Sequence, residues 1–214
     1  MIWVNNIIKF YINKKSESNR VLDKFSCFFP KTGFFLVFGE SGSGKTTLLN
    51  ILSGIDKADF GDVIFDEYNF SKKSDLENTK YRLSNICYYP QEYPFNLEDK
   101  VYVFLKTFFL IKNGERKTKK DILKILDYIN MAYLFNKKIA KLSAGEKQKL
   151  LLISFLFCNT KIAIFDEIFS NLDKESRLFF KNELKKQSKN KLIIVTEHVK
   201  EKDEIKLYDG VIEI

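Results

Sequence analysis

Gly39-Glu40-Ser41-Gly42-Ser43-Gly44-Lys45-Thr46 decides how this chain is read. An apolar run, Phe34-Phe35-Leu36-Val37-Phe38, leads into it, and Thr47-Leu48-Leu49-Asn50-Ile51-Leu52, a helix-compatible segment, leads out. Strand, glycine-rich loop, helix is the context that a phosphate-binding P-loop requires. Gly42 and Gly44 carry no Cβ, so backbone N–H groups can curl around phosphate oxygens there. The new helix turns the positive end of its dipole toward the same anion. Gly39, Ser41, Gly42, Ser43, Gly44, Lys45, Thr46 and Thr47 are the expected nucleotide-binding residues. Lys45 is expected to reach the β- and γ-phosphates and the Thr46 hydroxyl to coordinate Mg²⁺. The competing reading is a flexible Gly/Ser loop with a solvated lysine; the strand before it and the helix after it argue against that.

A chain of 214 residues allows one sizeable domain, or one domain with an embedded subdomain. Its hydrophobic content of 45% supports a real core. The formal net charge is +8, but the lysines are spread along the chain, with only short clusters such as Lys117-Thr118-Lys119-Lys120 and Lys185-Lys186. With no nucleic-acid motif beside them, this charge reads as solvated surface, and no nucleic-acid partner is expected. Cys27, Cys87 and Cys158 are odd in number, lie far apart and lack metal-ligand spacing, which suggests a reducing compartment. The most apolar stretch, 101–111, contains Lys106 and is too short to span a membrane. The first residues lack the basic start and small-residue cleavage site of a signal peptide, so a cytoplasmic location is expected.

Along the chain, 2–12 and 21–29 read as strands flanking a polar turn at 14–19. After the P-loop helix come a loop at 54–61, a short strand at 62–66, a polar helix-compatible stretch at 68–83 and a strand at 85–89. From about 96 to 142 the pattern turns helical. Val101, Phe104, Leu105, Phe108 and Phe109 recur at three- and four-residue spacing, as do Ile122, Ile125, Leu126 and Ile129, with a basic loop at 113–120 between them. A helix at 147–157, a strand at 162–165, an amphipathic helix at 174–189 and a buried strand at 192–195 follow. Asp209-Gly210, between apolar runs, reads as a hairpin turn. The fold expected is α/β: a parallel-sheet core at 1–95 and 143–214, an N-terminal antiparallel β subdomain and an inserted helical subdomain at about 96–142, all in one domain.

Ile162-Ala163-Ile164-Phe165-Asp166-Glu167 has the form of a Walker B strand. Its apolar residues suit a strand buried in a parallel sheet. Asp166 would emerge at the carboxyl end, where open α/β sheets bind ligands, and hold the Mg²⁺ hydration shell. Glu167 is the candidate general base. Leu142-Ser143-Ala144-Gly145-Glu146 places a hydroxyl and backbone amides at a helix start, which makes an anion site. Ser143 with Glu146 three residues later is also an ordinary capping box, and both readings can hold.

With these motifs in hand, the chain resembles the ATP-binding cassette (ABC) ATPases, and the likeness runs through its whole length. Residues 142–146 resemble the family's signature, which acts on the ATP of the opposite subunit. Tyr11 aligns with the aromatic residue that stacks on adenine; a strand aromatic packed in the core is the alternative. Gln91 matches the Q-loop glutamine that touches Mg²⁺ and the attacking water. Ser170-Asn171-Leu172-Asp173 matches the D-loop, and His198 the histidine that contacts the γ-phosphate.

The resemblance implies an Mg²⁺-dependent ATPase with ATP and Mg²⁺ as cofactors. Lys45, Gln91, Glu167 and His198 would be catalytic, and Thr46, Gln91 and Asp166 would hold the metal. It further implies an ATP-sandwich dimer with a second copy, a separate transmembrane permease, and a peripheral place on the inner face of the cell membrane. The wording of residues 39–50 is similar to compact export ATPases of the macrolide, lipoprotein-release and bacteriocin or peptide classes. A soluble ABC ATPase of an assembly complex, such as iron–sulfur cluster biogenesis, would share every motif. Ala144 and Glu146 depart from the family's glycine and glutamine, and a methyl at Ala144 would hinder backbone approach if that residue needed positive φ. Ile168-Phe169 and Glu197 are further departures.

Overall fold

Continuous apolar runs bounded by turn residues are buried on both faces of a sheet, and the computed structural model places them there. It describes residues 1–12, 18–197 and 202–214. The strands are β1 (Ile2–Ile12), β2 (Ser18–Phe29), β3 (Gly33–Phe38), β4 (Phe60–Phe65), β5 (Tyr68–Asn69), β6 (Ile86–Tyr89), β7 (Ile162–Phe165), β8 (Leu192–Glu197) and β9 (Gly210–Glu213). The helices are α1 (Lys45–Leu52), α2 (Asp75–Asn85), α3 (Val101–Asn113), α4 (Lys119–Asp127), α5 (Ala144–Leu156), α6 (Lys174–Gln187) and α7 (Lys202–Ile205).

Two sheets form. One is antiparallel, in the order β2-β1-β4-β5; the other is parallel, in the order β6-β7-β8-β3-β9. Alternation along each parallel strand divides its side chains between two apolar clusters. Leu36, Ala163, Phe165, Ile193 and Val195 join the cluster shared with α3, α4, α5 and α6. Val37, Ile164, Leu192 and Ile194 join the cluster shared with α1 and the antiparallel sheet. α5 is buried over most of its circumference, from Leu150 to Leu156, as a central helix between layers must be.

Two sequence expectations need correction. The tail does not fold as a hairpin: β9 lies parallel to β3, with Leu36 opposite Val211. Asp209 does not turn the chain but docks it. Its carboxylate accepts the Phe34 N–H at 2.8 Å and its own N–H donates to the Phe34 carbonyl at 2.7 Å. Gly210 sits against the Phe35 ring, where a Cβ would come within 2.8 Å. In the second correction, α5 starts three residues earlier than its apolar periodicity indicates, because the Ser143 cap initiates it. No helix among the described residues is long and apolar enough to cross a membrane.

Candidate functional site

The turn from β3 to α1 is made by residues 39–44. Gly42 has φ 81° and Gly44 φ 101°, a left-handed backbone that glycine adopts without strain. A Cβ at Gly42 would meet nothing within 4 Å, so that side of the loop is open. Gly39 packs against the Ile214 carbonyl and the Ser43 hydroxyl. The Ser43 Oγ is buried and without a hydrogen-bond partner. Helices α2, α4, α5 and α6 are capped by the side chains of Ser74, Thr118, Ser143 and Asp173, and α3, without a side-chain cap, gives its first amides to the Lys137 and Phe135 carbonyls, but α1 has no side-chain cap. The amides at the start of α1 therefore remain to be satisfied by another acceptor, and its dipole favours an anion.

Lys45 folds back over this loop, its Nζ donating to the Gly39 carbonyl at 2.8 Å and the Glu40 carbonyl at 2.7 Å. The Thr46 hydroxyl donates to Asp166 Oδ2 at 2.7 Å, which ties α1 to the end of β7 across β8. Gln91, two residues beyond β6, donates its amide to Glu167 Oε2 at 3.0 Å. A pocket of about 270 Å³ is lined by Ser41, Gly42, Gly44, Lys45, Thr46, Thr47, Gln91 and Glu167, with Val21 at its edge. The structure thus brings the P-loop, the glutamine and the second acid into one cavity. His198 lies outside the described residues.

These residues fit a nucleoside triphosphate with Mg²⁺. The open loop, the uncapped helix and the lysine suit phosphates. A hydroxyl, a buried carboxylate and an amide are oxygen donors of the kind a hard divalent cation takes.

Tyr11 stands on β1 and is 41% exposed. Its hydroxyl donates to Asp56 Oδ2 at 2.9 Å, and Asp56 is fixed in turn by Lys9 at 2.8 Å. Partial burial, with the Asp56 carboxylate behind it, raises the phenol above its ordinary pKa, while the Thr47 hydroxyl works against that. The ring is therefore not a core residue. It is a pinned, half-open aromatic surface near the first turn of α1.

None of residues 142–146 lines the 270 Å³ pocket. Ser143 and Glu146 form a full capping box, with the Glu146 N–H donating to Ser143 Oγ at 3.1 Å and the Ser143 N–H to Glu146 Oε2 at 2.8 Å. Burial acts to raise the Glu146 carboxyl, but the Ser143 N–H, Lys137 and Tyr133 together hold it below its usual range. Ala144 is the first helical residue and is not among those with positive φ, so its methyl strains nothing.

Gly145 is the position that needs a glycine, because a Cβ there would come 2.8 Å from the Asn171 carbonyl. Gly145→Ala is therefore expected to push α5 off the 170–173 loop. The cost expected of such overpacking is about 1–3 kcal/mol, seen as a fall in Tm of roughly 2–12 °C, whereas Ala144→Gly moves Tm by no more than about 4 °C. Asp173 is the N-cap of α6, accepting the Ser176 N–H at 2.8 Å and Lys149 at 3.2 Å. The Ser176 N–H and hydroxyl hold its pKa well below the usual carboxylate range.

Three residues that the motifs do not name complete the arrangement. Gln148 on α5 donates to Ser170 Oγ at 2.9 Å and accepts the Asn171 N–H at 2.9 Å, which fastens the loop after β7. Thr196, at the end of β8, touches both acids. Lys181 on α6 is fully buried, 2.5 Å from Glu197 and 2.5 Å from Glu204. The local sequence marks none of them: Gln148 lies between Lys147 and Lys149, Thr196 beside Glu197, and Lys181 among the polar residues of an amphipathic helix.

The ABC transporter family model matches residues 22–170. The lipoprotein-releasing system ATP-binding protein LolD of Buchnera aphidicola is 32% identical over 179 residues, covering 80% of this chain and 78% of that protein. The macrolide export ATP-binding/permease protein MacB of Campylobacter jejuni is 29% identical over 200 residues, covering 92% of this chain but 30% of that protein. Import ATP-binding proteins for sulfate/thiosulfate and molybdate/tungstate match at 27% and 28% identity. The fold is shared with the ATP-binding cassette MJ0796 in a dimeric post-hydrolysis state bound to ADP and Pi. Its TM-score is 0.87 at 23% identity, covering 100% of this chain and 94% of that one. A P-loop and a Walker B acid facing one pocket, in a chain matched by that family over most of its length, belong to the ABC transporter family, as an ATP-binding and ATP-hydrolysing subunit.

Proposed function

We propose that this chain powers a separate membrane permease, and that the cargo moves outward: a peptide, bacteriocin, lipid or drug. The observation that carries the mechanism is the split between its parts. The phosphate pocket holds the P-loop, Gln91 and Glu167, while the 142–146 segment lies outside it. The missing wall is then supplied by a second copy, two ATP molecules being sandwiched between two P-loops and two opposed signatures.

In that closed site Tyr11 stacks on the adenine and the 39–47 backbone cradles the phosphates. Lys45 and His198 offset charge on the γ-phosphate. Glu167 takes the proton of the water that attacks phosphorus, ADP leaving as the bond to its β-phosphate oxygen breaks. Thr46, Asp166 and Gln91 would hold Mg²⁺, which when bound would supply positive charge against the phosphates. Asp173 and the 142–146 segment act across the dimer.

A largely apolar groove of about 250 Å³ reaches Pro90, the residue before Gln91, and is lined by Tyr89, Tyr93, Phe108 and the exposed Ile55 and Leu83, with Arg82 and Lys112 also on it. An apolar groove next to the catalytic loop suits a helix of the permease, whose motion would then follow the state of the ATP site. The outward direction rests on the lipoprotein-release relative, which is matched over most of both chains. The test is vesicle transport with the co-expressed permease: ATP-driven movement of labelled cargo out of the cytoplasmic side supports the reading, and ATP-driven uptake toward that side overturns its direction.

A further inference from the structure

The sheet order puts β8 between β7, which Asp166 and Glu167 follow, and β3, which leads into the P-loop. The side chain that closes β8 on the α1 side therefore stands between the two halves of the site. That residue is Thr196, opposite Val37 of β3 and fully buried. A buried hydroxyl at the end of an apolar strand must be paired, and both of its bonds go to the acids. It donates to Asp166 Oδ1 at 2.7 Å and accepts the Glu167 N–H at 3.0 Å. Asp166 Oδ2, the other oxygen, accepts from Thr46 at 2.7 Å.

Two consequences follow from this geometry. With Oδ1 held by Thr46's opposite number, Thr196, the Asp166 carboxylate cannot rotate, and Oδ2 is kept facing Thr46. Glu167 has φ 53°, a left-handed conformation uncommon outside glycine. Such a turn persists only where neighbours enforce it, and Thr196 does so by accepting its N–H. That turn carries the Glu167 carboxylate to Gln91.

We propose that Thr196 is a positioning residue for hydrolysis, holding the metal-binding acid and the general base in working orientation through one hydroxyl. The proposal rests on the roles given above to Asp166 and Glu167. Thr196 itself does not line the phosphate pocket. A hydroxyl that serves the fold alone would affect melting and leave the metal requirement where it is.

Thr196→Val keeps the shape and removes both bonds; Thr196→Ser keeps them. Steady-state ATPase is measured across a Mg²⁺ titration, with Tm and Mg²⁺-free ATP binding measured alongside and Glu167→Gln as the reference. Thr196→Val is expected to lower kcat tenfold to a hundredfold and to raise the Mg²⁺ half-saturation at least fivefold. Mg²⁺-free ATP binding stays within twofold, and Thr196→Ser returns both kinetic values to within threefold of wild type. If Thr196→Val does not fold, Thr196→Cys, with its weak S–H donor, is expected to fall between wild type and a tenfold loss with a raised Mg²⁺ half-saturation. A wild-type Mg²⁺ half-saturation and kcat in the valine or cysteine variant, with Glu167→Gln inactive, overturns the proposal. Hydrolysis at the wild-type rate by Glu167→Gln overturns the reading beneath it.

Discussion

Glu167→Gln is expected to bind ATP as wild type does and to lose hydrolysis by a factor of about 10²–10⁴, the usual contribution of a positioned general base. The substitution keeps the shape and one carbonyl oxygen, so the contact with Gln91 survives, while the ability to take a proton from water does not. The backbone is fixed independently of the side chain, through the Thr196 hydroxyl, so the turn at φ 53° is retained. The pocket wall contributed by Ser41, Gly42, Lys45 and Thr46 is untouched. Single-turnover phosphate release, read beside equilibrium ATP binding, checks both halves. A rate within tenfold of wild type places the base elsewhere; loss of ATP binding makes Glu167 a structural residue.

Lys181→Met is expected to be the most destabilising single change. Lys181 is fully buried between Glu197 and Glu204 and lies 5.2 Å from the Phe169 ring centroid and 5.4 Å from that of Tyr208. Tyr208 donates to Glu197 at 2.9 Å, and its phenol is pushed far above its ordinary pKa by burial and by that carboxylate. Removing the ammonium leaves two carboxylates facing one another with Arg177, 3.4 Å from Glu204, as the nearby cation. Breaking a buried pair in this way costs about 3–5 kcal/mol. In a chain of this size that is a fall in Tm of roughly 6–20 °C. Adding Glu204→Gln to Lys181→Met removes one stranded charge and is expected to recover part of the loss in Tm. A fall of less than about 2 °C in the single variant means the cluster is solvated in solution.

How far the sequence reached depends on whether a signal was local. The P-loop was legible because strand, loop and helix are contiguous, and each residue's task follows from the one before it. The 162–167 strand was legible for the same reason. Whether Ser143 capped or signalled was not decidable from its spacing, and the structure shows the cap in place with the segment outside the pocket.

The tail misled because Asp-Gly is a strong hairpin signal only when both neighbours pair with each other. Here Asp209 finds Phe34, 175 positions away in sequence, and the strand pairs with β3 instead. Thr196 looked like the mere end of a strand, and Lys181 like one more polar residue on an amphipathic helix. Their roles come from Asp166 and Glu167, after β7, and from Glu197 and Glu204, on β8 and α7, which no periodicity within their own elements encodes. The lock of Lys9 and Asp56 on Tyr11 is of the same kind, since it joins the first strand to the loop after α1.

A site completed by a second copy requires an ATP-dependent dimer, and the mass of the Glu167→Gln protein in solution tests that most directly. Light scattering is run with saturating ATP and Mg²⁺, with ADP and Mg²⁺, and without nucleotide. The predicted result is twice the chain mass with ATP and a single chain mass in the other two, with Ser143→Arg abolishing the ATP-dependent species. A single chain mass at every ATP concentration, in a protein shown to have ATP bound, would contradict the shared site.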